Sequence, residues 1–489
     1  MAVTALPILP TPRTVIGEEE KKYTAVALTV GADEALSVAA TTLAEYASRV
    51  LGVSLTPGEG IIFSEDSSLA EGEYRLEIAE GRAKVFASEQ TGAHYAAATL
   101  LQLAEVTEEG LSLPAVTIAD KPEREYRALM IDLARRWHPF ETVLEYVDLC
   151  YLYKVRFLHL HFIDTQSYTL PSRVLPKAST EGRHYSFEQI EELCRYADSR
   201  GVEIIPEIEV PGHSAAMIAA YPELFANTLT VENVVDKYAL FNNTQKHNVI
   251  CVGKPDIMKS LRALTEEVIA MFPNSRYLHI GGDEAKIADW EYCTDCQRYM
   301  KKHGIGGAKA LYTDFIRRMT DMVLELGRTP IVWEGFPREG SEAISRDVIV
   351  TAWESYYHLA DELVEEGFKI INASWEPLYI VPEGHRVVKS GRWTPEEVLE
   401  WSIFTWKNWN KKTVAHLNPI HLTPTEQVLG GQLCAWENDY DGEIFAVREN
   451  LPALAERTWT VRRRLEDSEF RAKLESTMKI AEKIAVKSI

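Results

Sequence analysis

Apolar residues recur along this chain with two different rhythms, and the change between them marks a boundary near residue 122. Before it, short apolar runs predict strands at 26–30, 61–63, 74–78 and 83–87, and Glu80-Gly81-Arg82 between the last two reads as a hairpin turn. Over 92–106, Ala96, Ala97, Leu100, Leu101 and Ala104 return at helical spacing, which predicts a helix packed on that sheet. Residues 1–122 are therefore expected to form a small α+β domain, and no chemistry is visible in it. Asp120-Lys121-Pro122 carries charge and proline, the signals of a linker.

From 123 to 489 the pattern becomes apolar strand, loop, amphipathic helix and strand again, which specifies parallel strands covered by helices. Such strands are expected at 126–133, 155–162, 202–209, 277–280, 329–333, 348–353, 369–373 and 430–436. Eight βα units predict an α/β fold closed as a (β/α)8 TIM barrel. An open doubly wound sheet is the rival, but the glycine-rich first turn of a dinucleotide site is missing.

A barrel of this kind carries its catalytic groups at the carboxyl ends of the strands. The run 277–280 ends in Gly281-Gly282-Asp283-Glu284. Neighbouring strand residues point to opposite faces, so adjacent carboxylates converge only where the backbone leaves regular geometry, and two glycines permit that. A solvated acidic turn is the alternative for this segment alone. Other strand ends weigh against it: Asp164, then Glu209 followed by Pro211-Gly212-His213, then Trp333-Glu334, Trp353-Glu354, Trp375 with Tyr379, and Trp436-Glu437. Aromatic faces around carboxylates suit a pyranose, whose C–H faces pack on rings while its hydroxyls bond to polar groups. Each tryptophan taken singly could equally be core.

Length and charge narrow the picture. At 489 residues with 46% hydrophobic content the chain can build two cores. A formal net charge of -21 argues against nucleic acid or an anionic membrane as partner and favours a small neutral or cationic substrate; the oligomeric state is not legible. No apolar run reaches membrane-spanning length, and residues 1–20 lack a basic start followed by a long apolar core, so export by a standard signal is not expected. The six cysteines are too sparse for a disulfide framework, which predicts a reducing, cytoplasmic location. Cys293-Thr294-Asp295-Cys296 is the only Cys-x-x-Cys, without a second pair or Cys/His partner at ligand spacing, and neither a metal nor another cofactor is expected. His159 and His161 turn to one face of the second strand and are read as packed, hydrogen-bonded histidines.

Several segments, in order, resemble family 20 glycoside hydrolases, the β-N-acetylhexosaminidases, over nearly the whole chain. Leu9-Pro10-Thr11-Pro12 and the run from Gly92 to Leu103 are similar to that family's non-catalytic N-terminal domain. The run from Tyr126 to Arg136 resembles its first barrel strand, Pro206-Glu-Ile-Glu-Val-Pro-Gly-His213 and His279-Ile-Gly-Gly-Asp-Glu284 its most diagnostic segments, and the run from Leu451 to Trp459 its last barrel helix.

The resemblance implies exo-acting, retaining hydrolysis in which the sugar's own 2-acetamido oxygen attacks the anomeric carbon. Glu284 would be general acid and then base, Asp283 would hold the acetamido N–H, and Tyr379 would donate to the acetamido oxygen. Trp333, Trp353 and Trp436 would wall the sugar, and Arg127 would grip its hydroxyls. Asp164 and His213, with Glu209 behind His213, would set the proton affinity of Glu284, whose pKa is expected to be raised by Asp283 and the aromatic walls.

The chain departs from the family at Thr165-Gln-Ser-Tyr-Thr169, at Glu209 in place of aspartate, at Val381 in place of aspartate, and at Trp436-Glu437-Asn438. These changes leave Glu437 as a candidate for the C4 edge. Three rival readings remain. A catalytically silent sugar-binding protein would keep the tryptophans and lose the acid. A chitinase-like barrel needs an Asp-x-x-Asp-x-Asp-x-Glu run that is absent, and a metal-dependent hydrolase has only His159 and His161 to suggest it.

Overall fold

The computed structural model describes residues 4–20, 22–232, 243–382 and 393–484. Before residue 120 the chain builds a seven-stranded sheet with Gln90–Leu103 packed on it as a helix. The expected hairpin joins Tyr74–Ala79 to Arg82–Ala87, with Ala79 paired to Arg82. Its turn residues Glu80 and Gly81 both have positive φ, 49° and 77°, as a two-residue turn matching the strand twist requires.

Two expectations are corrected here. The run at 26–30 is divided between Tyr23–Val26, which pairs with Gly110–Pro114, and Thr29–Ala32, which joins the larger sheet beside Ile61–Glu65. The helix starts two residues early, because the Glu89 side chain accepts from the Thr91 and Gly92 amides. It ends at Leu103, and Glu105–Thr107 continues as a strand against Gly110–Pro114.

Eight parallel strands follow in sequence order: β1 (Tyr126–Asp132), β2 (Phe157–His161), β3 (Glu203–Glu207), β4 (Tyr277–His279), β5 (Thr329–Trp333), β6 (Ile349–Ala352), β7 (Lys369–Asn372) and β8 (Val428–Ala435). Pairing of β8 with β1, from Tyr126 opposite Gly430 to Ile131 opposite Ala435, closes the sheet into a (β/α)8 barrel. A short extra strand, Tyr379–Ile380, lies against the carboxyl end of β8, with Tyr379 opposite Cys434.

The period-2 alternation of a strand sorts the side chains. Leu129, Ile131, Leu158, Leu160, Ile204 and Val332 face outward into the core shared with the helices. Residues of the other parity fill the barrel in three tiers. The bottom tier is apolar, with Tyr126, Ala128, Phe157, Ile205, Ile331, Ile349 and Ile371. The middle tier is polar: buried Glu207 lies between His159 and His279, and His159 Nδ1 lies 3.3 Å from Gln432 Oε1. The top tier is an aromatic cup of Trp333, Trp353, Tyr379 and Trp436 above Met130 and Cys434.

The N-terminal sheet docks on the outside of this barrel through buried polar contacts. Tyr46 and Arg49 bond to Asp148, Gln102 donates to the Leu152 carbonyl, and Trp459 Nε1 donates to Asp120 at 2.9 Å. Asp120, expected in a linker, is thus a buried strand residue that also lies 3.8 Å from the Lys154 ammonium. Among the described residues, no helix is long and apolar enough to cross a membrane.

Candidate active site

At the carboxyl mouth of the barrel a cavity of about 180 Å³ is lined by Arg135, Asp283, Glu284, Tyr379, Val381, Glu437 and the tryptophans 333, 353, 375 and 436. The turn after β4 shapes its centre. Gly281 and Gly282 adopt φ of 68° and 99°, and a Cβ at Gly281 would overlap the Glu209 carboxylate beneath it. Glu209 Oε1 in turn accepts from the Gly282 amide at 3.0 Å. With the backbone bent in this way, one carboxylate oxygen each of Asp283 and Glu284 and a His213 nitrogen lie within 4.8 Å of one another. Three residues of this mouth, His213, Glu284 and Glu437, hold positive φ of 46°, 43° and 61°, conformations that non-glycine residues keep only where surrounding packing enforces them.

A chain of charges runs behind the pair. Arg135 Nε lies 2.9 Å from Asp164 Oδ2, Asp164 Oδ1 lies 3.3 Å from His213 Nδ1, and His213 Nε2 lies 3.3 Å from Glu284 Oε2 and 3.8 Å from Asp283 Oδ2. Burial would raise the Asp164 pKa, but the Arg135 and His213 charges outweigh it and hold the group well below the usual carboxylate range. Burial likewise opposes the His213 imidazolium, yet Asp164, with Glu284 and Asp283, raises its pKa well above the ordinary 6.5. These charges favour the protonated His213 ring, whose Nε2 faces the Glu284 carboxylate.

That arrangement corrects the expectation for Glu284. Its pKa is lowered, first by the His213 ring nitrogen 3.3 Å away, and its side chain is 48% exposed, so the aromatic walls do not enclose it. Asp283 is the carboxyl pushed upward, by burial first and then by the charges of Glu284 and Glu207.

Glu209 is also relocated. It does not stand behind His213 but under the glycine turn, where it accepts from the Gly282 amide and where burial and the Asp283 charge raise its pKa well above the usual value. The residue behind the charge chain is Glu207, which the sequence reading missed. His161 bonds to Glu207 through Nδ1 and to Asp164 through Nε2 at 2.9 Å. Trp333 Nε1 donates to the other Glu207 oxygen at 2.6 Å, which fixes the floor of the cup. Burial lowers the His161 pKa, but the two carboxylates outweigh it and raise it to about 10, so both ring nitrogens donate. A signal was present in Pro206-Glu207-Ile208-Glu209, where Glu207 shares interior parity with Ile205.

Arg127 is the third correction. It lies at the amino end of β1 with outward parity, buried at the opposite end of the barrel. There it donates to the Lys154, Arg124 and Glu125 carbonyls and to Tyr95 of the N-terminal domain, beneath the Trp459 ring. The arginine that reaches the cavity is Arg135, past the carboxyl end of the same strand. Asp132 Oδ1 accepts from the Ala134 and Arg135 amides and so bends the chain inward. The Arg135 guanidinium covers the Trp436 ring at 4.7 Å and lies 3.9 Å from Glu437 Oε1. Position relative to the strand end was the signal that separates the two arginines.

We expect Arg135→Lys to raise KM for an aryl glycoside about tenfold, the equivalent of one charge-assisted hydrogen bond. Arg127→Lys should lower the urea midpoint and leave KM within about twofold. Steady-state kinetics beside denaturation curves check the pair.

The remaining expected residues converge. Tyr379 stacks on Trp375 at 4.3 Å and on Trp353 at 6.2 Å, and Trp333 lies 5.8 Å from Trp436. Glu437 stands half exposed at the rim. Trp375, absent from the expected wall, completes the cup. Glu334 is consumed by structure, accepting from the Ser355, Tyr356 and Tyr357 amides. Glu354 is pushed up to about 8 by burial and by the neighbouring charges of Glu284, Glu334 and Asp283.

Comparison with known proteins identifies the family of both domains. Residues 125–462 match the model of glycosyl hydrolase family 20, catalytic domain, and residues 5–121 match that of family 20, domain 2. A β-hexosaminidase of Vibrio furnissii is 29% identical over 425 residues, covering 81% of this chain and 66% of its own. One of Akkermansia muciniphila is 30% identical over 326 residues, covering 63% and 64%. The chain thus spans about two thirds of the length of these curated relatives. Among solved structures, a GH20 exo-β-N-acetylglucosaminidase of Vibrio harveyi in complex with N-acetylglucosamine superposes with a TM-score of 0.81 at 23% identity, covering 99% of this chain and 78% of that one. A β-N-acetylhexosaminidase of Bacteroides fragilis gives 0.80 at 23% identity, covering 98% and 96%. At that identity the structures establish the common fold.

Proposed function

The chain belongs to glycosyl hydrolase family 20, and from that membership we propose that it is an exo-acting, retaining β-N-acetylhexosaminidase whose substrate supplies its own nucleophile. The observation that carries this reading is the placement of Asp283 and Glu284. Their carboxylate oxygens lie within 4.8 Å, too close to hold an attacking water between them on opposite faces of a sugar, which takes about 6.5–9.5 Å. Both carboxylates also face the same His213 nitrogen, at 3.8 and 3.3 Å, which puts them on one side of the cavity, so neither can attack from behind while the other protonates the leaving oxygen.

In this reading the acetamido oxygen bonds to C1 as the C1–O bond to the aglycone breaks, and the leaving oxygen takes its proton from Glu284. Asp283, whose Oδ1 is buried with no partner, accepts from the acetamido N–H and stabilises the positive charge that develops in the oxazolinium ring. Tyr379 donates to the attacking oxygen. Water then opens the intermediate, with Glu284 taking its proton, and retained stereochemistry follows from two displacements. A cavity closed below by Met130 and Cys434 and sized for one sugar supports release of terminal residues.

Aryl 2-acetamido-2-deoxy-β-glycosides should be hydrolysed, and aryl β-glucosides lacking the acetamido group should fall at least about 10³-fold behind, since an intramolecular nucleophile is lost. Equal turnover of both would overturn the reading. Binding of N-acetylglucosamine without any turnover would support a silent sugar-binding protein. Val381 offers no hydrogen bond at the rim, so we expect kcat/KM for the gluco and galacto acetamido epimers to differ by less than about 100-fold.

A further inference from the structure

Outside the active site, three cysteines from two loops meet. Cys251 Sγ lies 3.4 Å from Cys293 Sγ and 3.7 Å from Cys296 Sγ, and all three side chains are buried. In sequence only the Cys-x-x-Cys pair is visible, because Cys251 stands 42 residues before Cys293. A tetrahedral thiolate site with metal–sulfur bonds of about 2.3 Å places its sulfurs about 3.8 Å apart, whereas a disulfide needs about 2.05 Å. The observed separations lie near the edge of that tetrahedron.

Chemistry and enclosure agree with the spacing. Cys293 caps the helix Thr294–His303 and Cys296 lies in its first turn, so a Cys-x-x-Cys presents two sulfurs to one point. The opposing loop is pressed close: a Cβ at Gly253 would sit 2.6 Å from the Cys296 Cα. Among the described residues the group contains no fourth His, Cys, Asp or Glu, which leaves one corner to a water or a backbone oxygen. Three soft thiolates in this geometry select zinc over hard cations.

We propose that Cys251, Cys293 and Cys296 bind a zinc ion that clamps the loop after β3 to the loop after β4. The clamp acts on the catalytic spacing. The Cys251 side is tied to the His213 turn, where the Ile250 amide donates to the Pro211 carbonyl at 3.0 Å and the Ser214 amide to the Asn248 carbonyl at 3.0 Å. The Cys293 side continues directly from Glu284, and Trp290 Nε1 donates across to the Ile250 carbonyl at 2.9 Å. Zinc would thus hold the segments that bring His213 to Glu284.

The test is metal content of the full chain purified without chelator from zinc-containing medium, with thiols counted after denaturation. About one zinc per chain is expected, with all six cysteines titratable once the metal is chelated. Cys251→Ser and Cys296→Ser should each hold less than about a tenth of that, and Cys150→Ala should keep it. Should the serine variants fail to fold, cobalt substitution of the wild type decides, since thiolate ligation gives a charge-transfer band in the near ultraviolet. A wild type that takes up neither zinc nor cobalt overturns the proposal, whether it shows six free thiols or the four left by a disulfide. Zinc retained in both serine variants overturns it as well.

Discussion

Glu284→Gln is expected to slow hydrolysis of substrates with poor leaving groups by about 10² to 10⁴ and to spare aryl glycosides with acidic phenols. The amide keeps the shape of the side chain and its contact with His213 but has no proton to give. A basic alkoxide needs that proton to depart and a nitrophenolate does not, so the ratio between the two substrate kinds reads the acid role directly. Equal losses on both would remove Glu284 from it. The same geometry predicts the alkaline limb of wild-type activity. His213 and Glu284 together must hold one proton, and the folded pKa of His213 lies well above 6.5, chiefly because Asp164 outweighs burial. Activity should therefore persist above neutral pH and fall as the pH rises through that value. Asp164→Asn removes the charge that holds the proton, and the limb should move down by about one pH unit or more. A limb that stays in place would separate Asp164 from the proton store.

Glu207→Gln is expected to be the most destabilising conservative change in the barrel, by about 3–5 kcal/mol, read as a fall in the urea midpoint. The carboxylate sits in the barrel interior between His159, His161, His279 and Trp333, and the variant leaves the His161 imidazolium balanced by Asp164 alone. The sign of the pH dependence follows from the two shifts. Burial would raise the Glu207 pKa, but the histidines outweigh it and lower it well below 4.5, so its contribution is present above the unfolded value and lost as the pH falls through the folded one. His161 is raised to about 10, so its contribution is complete below about 6.5 and is lost between about 6.5 and 10 as the pH rises. In Glu207→Gln that alkaline loss should shrink. A variant with an unchanged midpoint would show that the buried carboxylate contributes nothing net to the fold.

Which parts of this site were legible follows from the range of the interactions involved. Asp283, Glu284, His213, Trp333, Trp353, Trp436 and Tyr379 were found by position at a strand end, a property written in a few consecutive residues. Arg127 was misplaced because a family segment was read as one unit. Its own position at the start of β1, with outward parity, put it at the wrong end, and Arg135, eight residues on, lay at the right one. Glu207 was missed because its partners belong to β2, β4 and β5, and the identity of an interior neighbour depends on the register between strands.

By itself the sequence determined the two domains' architectures, the eight barrel strands in order, and the turn that sets two carboxylates side by side. Each of these is dictated locally, by a period of two, by apolar runs bounded by turns, or by glycines that free the backbone. Only the tertiary structure decided in which direction each carboxyl's pKa moves, which arginine enters the cavity, and that Cys251 joins Cys293 and Cys296. Those outcomes depend on burial and on charges a few ångströms apart that belong to residues tens of positions apart, and such distances exist only once the barrel has closed.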